Sequence, residues 1–318
     1  MVTERAPGRA HPFGTEALVS EWFGRRTYDS AALDVDALCA LKRERVSLVL
    51  PARNVEATLG PILDALLPLS GKLVDEIVVV DGASTDGTVA VADGRGVPVY
   101  AEAELMPDFG PVLGKGDALW RSLSVASGEI VVFLDADTEN FGAHFLVGLV
   151  GPLLSESEVV LVKGAYRRPF RVGDELVVDG GGRVTELLAR PWLNLHVPEL
   201  SGFVQPLAGE MAARRSLFES ISFPVGYGVE IGVLLDALRL YGLDALAQVD
   251  LGSRQNQHQA LRDLGAMAYA VLAAAETRAG IAARSGERIV EAATSGISAR
   301  AVATIERPPH ASLAQPAV

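Results

Sequence analysis

The sequence predicts an α/β fold built on a mainly parallel, doubly wound sheet, and three observations predict it. Apolar, β-branched runs recur at VSLVLPA from Val46, DEIVVVDGAS from Asp75 and EIVVFLDAD from Glu129. They lack polar–apolar alternation, as strands buried on both faces do. Helical patterns at 56–67, 86–92 and 115–126 separate or follow them, so the order β-α-β-α repeats. Each run also ends in small or polar residues, at the carboxyl edge where such sheets bind ligands.

The second half is less regular. VVLVKGAYRRPF reads as a strand, and GGGRVTELLARPWLNL as a glycine turn entering a helix. GYGVEIGVLLDALRLYG reads as a long helix with an apolar face, LAQVDLGSRQ as a strand, and 259–282 as a last helix. The chain reads as an N-terminal extension (1–45), a ligand-binding part (46–154), a part that completes the site (155–283) and a mobile tail (284–318), with a soft boundary near Leu154 between the middle two.

Bulk properties exclude several function classes. A formal charge of -12 over 318 residues argues against a nucleic-acid surface. An anionic ligand would need local basic clusters, a metal ion or helix N-termini. The single cysteine, Cys39, rules out an intramolecular disulfide and fits a reducing compartment. The opening MVTERAPGRAHPFG lacks the apolar block of a secretory signal, and the longest apolar run, AMAYAVLAAA, is too short to span a bilayer. The expectation is a cytoplasmic protein without a membrane partner.

The third run carries the sharpest chemical signal. Side chains alternate along a strand, so Asp135 and Asp137 project to one side and place two negative charges within a few ångströms. Either they form an acidic strand end capping a helix near Phe141, or they hold a cation. VLPARNVEATL and VVDGASTDGT place Pro51, Asp81 and Ser84 at the other strand exits, as simple turns or as ligand contacts. In GKGDALW, Lys115 opens a helix but the spacing fails the Walker pattern. It is a solvated helix-start lysine or a phosphate contact. Gly180 to Gly182 allow close backbone approach, and Arg183 and Thr185 follow at a helix N-terminus that attracts anions. Arg183 could instead pair with Glu186, and Arg167 and Arg168 read as surface charges. Glu230 sits in an apolar helical face, so it meets a ligand or an arginine.

Taken in order, P-x-x-N-x-E-x-T, D-x-x-S-T-D-x-T and D-x-D resemble the nucleotide-sugar half of the GT-A (Rossmann-like) glycosyltransferases. GKGDALWRSL, LVKGAYRRPF, GGGRVTELLARP, QPLAGE and GYGVEIGVLLD narrow the resemblance to the glucosyl- and mannosyl-3-phosphoglycerate synthases, over roughly Val46 to Met267. The resemblance implies a GT-A fold with a C-terminal, helical acceptor-binding part. It implies retaining transfer of glucose or mannose from a nucleoside diphosphate hexose to the hydroxyl of 3-phosphoglycerate, with Mg2+ or Mn2+, in a homodimer.

Donor contacts implied by the resemblance are Pro51, Ala52, Glu56, Asp81, Ser84 and Lys115, with Asp135, Tyr227, Glu230 and Arg254. It casts Asp135, Asp137, Lys115 and Glu230 as the catalytic group, Gly182, Arg183 and Thr185 as the acceptor site, and Asp137 with His258 as metal ligands. Simple alignment puts Asn256 in the histidine's place and His258 two residues later, and Val55 stands where the related pattern often has an acid. The alternatives are a GT-A transferase using a lipid phosphate acceptor and a non-catalytic sugar-nucleotide-binding protein.

Overall fold

The computed structural model describes residues 14–172, 175–177, 180–255, 261–281, 288–293 and 296–313. The chain enters through α1 (Thr15–Arg26), β1 (Thr27–Asp29) and α2 (Val35–Leu41). It then alternates β2 (Val46–Ala52), α3 (Glu56–Leu66), β3 (Glu76–Asp81), α4 (Thr88–Asp93), β4 (Val99–Ala101), α5 (Lys115–Ser122), β5 (Ile130–Phe133), α6 (His144–Ser155) and β6 (Leu161–Arg167). An antiparallel pair, β7 (Phe170–Val172) and β8 (Glu175–Val177), precedes α7 (Arg190–His196) and β9 (Met211–Arg214). After α8 (Arg215–Ser220) and β10 (Phe223–Pro224) come α9 (Val229–Tyr241), β11 (Leu246–Ser253) and α10 (Leu261–Ala279). A second antiparallel pair, β12 (Arg288–Ala293) and β13 (Gly296–Ala301), leads to β14 (Glu306–Arg307).

Eight strands form one sheet in the order β1-β11-β6-β9-β5-β2-β3-β4. Neighbours are parallel except at β9, which runs antiparallel to both β5 and β6. The missing alternation in the sequence has its cause here, because both faces of the central strands are covered. Val49, Val78, Val131 and Phe133 enter one core, and Leu48, Ile77, Ile130 and Val132 the other. Each buried side chain of this size contributes about 1.5–3 kcal/mol, and truncating Phe133 to alanine would cost about 3–5 kcal/mol.

Several boundaries differ from the sequence reading. The sheet passes through the expected division at Leu154, since β6, β9 and β11 join the strands of the first half. α10 packs on the same body through Ala270, Val271, Ala274 and Ala275, which are buried. The stretch read as an N-terminal extension supplies β1 and α1. Trp22 of α1 is fully buried and donates from Nε1 to Leu246 O at 2.9 Å.

Within the stretch read as a tail, residues 306–308 pack on the body. β14 pairs with β10, Trp120 Nε1 donates to Pro308 O at 2.8 Å, and Arg307 reaches the buried Asp117 carboxylate at 2.6 Å. Proline and alanine content after Arg307 made the tail read as mobile, but Arg307 with Asp117, Trp120 with Pro308 O and His310 with Trp120 O seat 307–310 on α5. Among the described residues, no helix is long and apolar enough to cross a membrane.

Candidate active site

A cleft of about 640 Å³ opens at the carboxyl ends of β2, β3 and β5. Its shape begins with α5. Gly114 adopts φ +128, and a Cβ at Gly116 would collide with Pro224 O, so the two positions flanking Lys115 require glycine. Below it, the fully buried Asp117 carboxylate accepts from Leu113 N at 3.0 Å, Arg121 Nε at 3.0 Å and Arg307 Nη2 at 2.6 Å. The loop is thereby fixed and Lys115 points into the cleft.

Lys115 Nζ lies 2.7 Å from Asp135 Oδ1 and 3.0 Å from Glu230 Oε1. Burial would lower its ammonium, but the two carboxylates outweigh burial and hold it far above the ordinary lysine range. Burial likewise opposes ionisation of Asp135, yet Lys115 and Arg254 hold that carboxyl well below its usual range. Glu230 is therefore paired inside the protein, as its place in an apolar helix requires. The sequence left a ligand or an arginine open; the partner within the chain is Lys115, and Glu230 also lines the cleft.

Arg254 follows β11 and ties the acidic pair together. Its Nη2 lies 2.9 Å from Asp135 Oδ2 and 2.8 Å from Asp137 Oδ1. The two aspartates share a side, though not through strand pleating: β5 ends at Phe133 and both acids stand in the turn beyond it. α6 starts at His144, so they do not cap it. Arg254 Nε points at Thr138 Oγ1 (3.1 Å) and passes 2.7 Å from Glu210 Oε1, off the N–H direction. Glu210 Oε2 accepts from Tyr166 OH at 2.7 Å. Burial and the neighbouring Glu210 push the Tyr166 phenol upward, so it stays a donor.

Asp137 is half-exposed, and its second oxygen makes no hydrogen bond with a described residue. Two carboxylates, one carrying an outward oxygen, already accommodate one cation in Arg254. This donor set fits a hard divalent ion. Among the described residues no third His, Cys, Asp or Glu joins it. His258 and Asn256 lie outside the described residues.

The opposite wall is the start of a helix. Gly182 has φ +70 and Glu186 N donates to Gly182 O at 2.9 Å, so helical bonding begins behind the glycines. A five-residue π-turn, Thr185–Ala189, leads into α7. Gly182, Arg183 and the buried Thr185 line the cleft together with Arg168, whose Nε is buried without a hydrogen bond and whose guanidinium lies over the Tyr166 ring. Glu186 pairs with Arg190, at 2.9 Å.

Residues 47–177 match the family model described as glycosyl transferase family 2. The glucosyl-3-phosphoglycerate synthase of Mycolicibacterium paratuberculosis is 46% identical over 264 residues, 82% of this chain and 80% of its own length. The chain belongs to the family of the glucosyl-3-phosphoglycerate synthases. The synthase of Petrotoga mobilis is 41% identical over 251 residues, 77% of each chain. Among solved structures, mannosyl-3-phosphoglycerate synthase from Rubrobacter xylanophilus superposes with a TM-score of 0.84 at 45% identity, covering 93% of this chain and 98% of its own. The Mycobacterium tuberculosis synthase in complex with Mn2+, UDP-glucose and phosphoglyceric acid gives 0.81 at 42% identity, covering 90% and 97%.

On this synthase fold the cleft gathers most of the residues singled out in the sequence: Pro51, Ala52, Lys115, Asp135 and Asp137, with Gly182, Arg183, Thr185, Tyr227, Glu230 and Arg254. Three are off its wall. Asp81 accepts from Ser84 N at 3.1 Å, Ser84 Oγ accepts from Asn54 N at 2.9 Å, and Glu56 Oε2 accepts from Gly87 N at 3.0 Å. These bonds tie the first two strand exits together. The sequence reading missed Glu210 and Tyr166 and took Arg168 for a surface charge. QPLAGE and GAYRRP were quoted as motifs, and only the β6–β9 pairing shows which of their side chains turn inward.

Proposed function

We propose that this chain transfers a hexosyl group from a nucleoside diphosphate hexose to the hydroxyl of 3-phosphoglycerate, with retention at the anomeric carbon. One observation carries the reading. The Lys115–Asp135–Arg254–Asp137 ion-pair chain and the Gly182–Arg183–Thr185 helix start lie in one cleft, so a diphosphate sugar and a second anion meet there. Relatives bound to UDP-glucose and phosphoglyceric acid support these two ligands.

Lys115 sits where negative charge grows on the leaving diphosphate and stabilises it. Asp135 and Glu230 hold Lys115 in place and offer oxygens to hexose hydroxyls. Both are engaged by the same ammonium, which leaves neither well suited to act as a covalent nucleophile. The acceptor hydroxyl then attacks from the leaving-group side as the bond to the diphosphate breaks, the sugar passing through an oxocarbenium-like state and the hydroxyl proton going to the departing diphosphate oxygen. Arg183, Thr185 and the helix N-terminus hold the acceptor phosphate, and Arg168 adds a cation for its carboxylate. A divalent cation, Mn2+ or Mg2+, would be held by Asp137 with His258, and supplies charge to the leaving diphosphate when bound.

Phosphorylated small molecules on both sides of the reaction support a cytoplasmic location. A homodimer is the assembly to test, and the exposed Leu187, Leu195, Val290 and Ile297 are apolar surface that a second copy could cover. A panel of UDP- and GDP-hexoses against phosphorylated acceptors, read as released nucleoside diphosphate, tests the function. Turnover with 3-phosphoglycerate supports it, and turnover only with a lipid phosphate, or none, contradicts it.

A further inference from the structure

Glu102 stands immediately after β4, half-buried on the cleft wall beside Pro51, Ala52, Val80 and Gly82. Its carboxylate makes no hydrogen bond or ion pair with a described residue. Burial pushes the carboxyl above its usual range; Arg53 and Arg121 pull it down, while Asp117 and Asp81 add to the rise. An acid removed from water without a donor is costly unless a ligand supplies one.

The local packing keeps this acid at the cleft. A Cβ at Gly82 would come within 3.4 Å of Glu102 Oε1 and 3.3 Å of Arg53 Cβ, so the glycine leaves the end of β3 open to the carboxylate. Strand order then sets its distance from the charged centre. From β5, whose C-terminal turn carries Asp135, to β4 there are three inter-strand steps through β2 and β3. At about 4.8 Å each they span about 14 Å, comparable to the reach of a nucleoside diphosphate from its phosphates to the far edge of its base. The cleft lining between includes the apolar Pro51, Ala52, Val80 and Ala118.

We propose that Glu102 reads the donor's base, its carboxylate accepting the ring N–H that uracil presents at N3 and guanine at N1. Adenine and cytosine carry a lone pair at the corresponding ring nitrogen, which the carboxylate repels. Guanine also offers its 2-amino group to the second oxygen, whereas uracil presents a carbonyl there. The assignment rests on the reading that this cleft holds a nucleoside diphosphate hexose.

The test is calorimetric titration of wild type, Glu102→Gln and Glu102→Ala with GDP, UDP, CDP and ADP in the presence of Mn2+. Wild type binds GDP and UDP at least about tenfold tighter than CDP and ADP, because a site built for a donor rejects bases that lack it. In Glu102→Ala that preference collapses to within about threefold, with GDP losing more than UDP, and Glu102→Gln falls between. If the ratio among the four nucleotides stays the same in both variants, the assignment of Glu102 fails while the donor site stands. If wild type binds none of the four, the donor reading itself fails, and this inference with it.

Discussion

Arg254 Nη2 stands 2.8 Å from Asp137 Oδ1, in the turn after β5 where two carboxylates would otherwise repel. The contact shows that this corner is built for positive charge, and Asp137 is the member with an oxygen turned outward. Asp137→Ala should lower turnover by about two orders of magnitude or more while the far-UV spectrum stays that of wild type. Chelator should inactivate the wild type, with Mn2+ restoring it. Full activity in excess chelator contradicts the metal role.

Arg183 tests the other wall of the cleft. Losing a charge-assisted contact to a phosphate typically costs on the order of 2–5 kcal/mol, so Arg183→Ala should lower efficiency for 3-phosphoglycerate by about two orders of magnitude. Donor affinity should barely change. Acceptor kinetics beside a donor titration on the same variant separate the two, and collapse of donor binding alone would reassign this helix start.

Lys163 gives a pH-dependent prediction. It is wholly buried in β6, donates to Ala208 O at 2.6 Å, and burial pushes its ammonium down to about 8 despite Glu230, Glu210 and Asp135 nearby. The unfolded chain keeps a lysine near its ordinary value of about 10.4. Below pH 8 the folded state carries the full burial penalty. Between about 8 and 10.4 the unfolded state binds more protons, so this group's contribution to stability rises with pH across that window. The difference in unfolding free energy between wild type and Lys163→Met should shift in favour of wild type by roughly 3 kcal/mol over it. Urea midpoints at both ends measure this, and a flat difference contradicts it.

The C-terminal segment should matter for stability as well as for the site. Asp117 is fully buried and takes bonds from Arg307 Nε at 2.8 Å and Nη2 at 2.6 Å. Truncation after Ala303 removes Arg307 and leaves part of a buried charge unpaired, which costs about 3–5 kcal/mol. Because Asp117 also holds Leu113 N, nucleoside diphosphate binding should weaken too. Denaturation and a UDP titration on the truncated chain check both, and wild-type values in each contradict the packing role.

The legible part of this protein was local. β2, β3 and β5 announced themselves because burial on both faces demands uninterrupted apolar residues, and Asp135, Lys115 and Arg183 because charge beside glycine or at a strand exit is conspicuous. β9 was missed because MAAR is four residues long and gains strand character only between β5 and β6. Glu210 was invisible as a site residue for the same reason, since it joins Tyr166 and Arg254 through pairing distant in sequence. Arg307 looked like the start of a tail because its partner Asp117 lies 190 residues away.

Transfer from a diphosphate hexose to 3-phosphoglycerate with retention, in one cleft, fixes the anomeric form of the product. Proton NMR of the product formed from an α-linked UDP-glucose or GDP-glucose donor, 3-phosphoglycerate and Mn2+ tests it most directly. The expected product gives a single α-anomeric signal on glucosyl-3-phosphoglycerate, appearing in step with released nucleoside diphosphate. A β-linked product, or hydrolysis of the donor with no transfer to the acceptor, would contradict it.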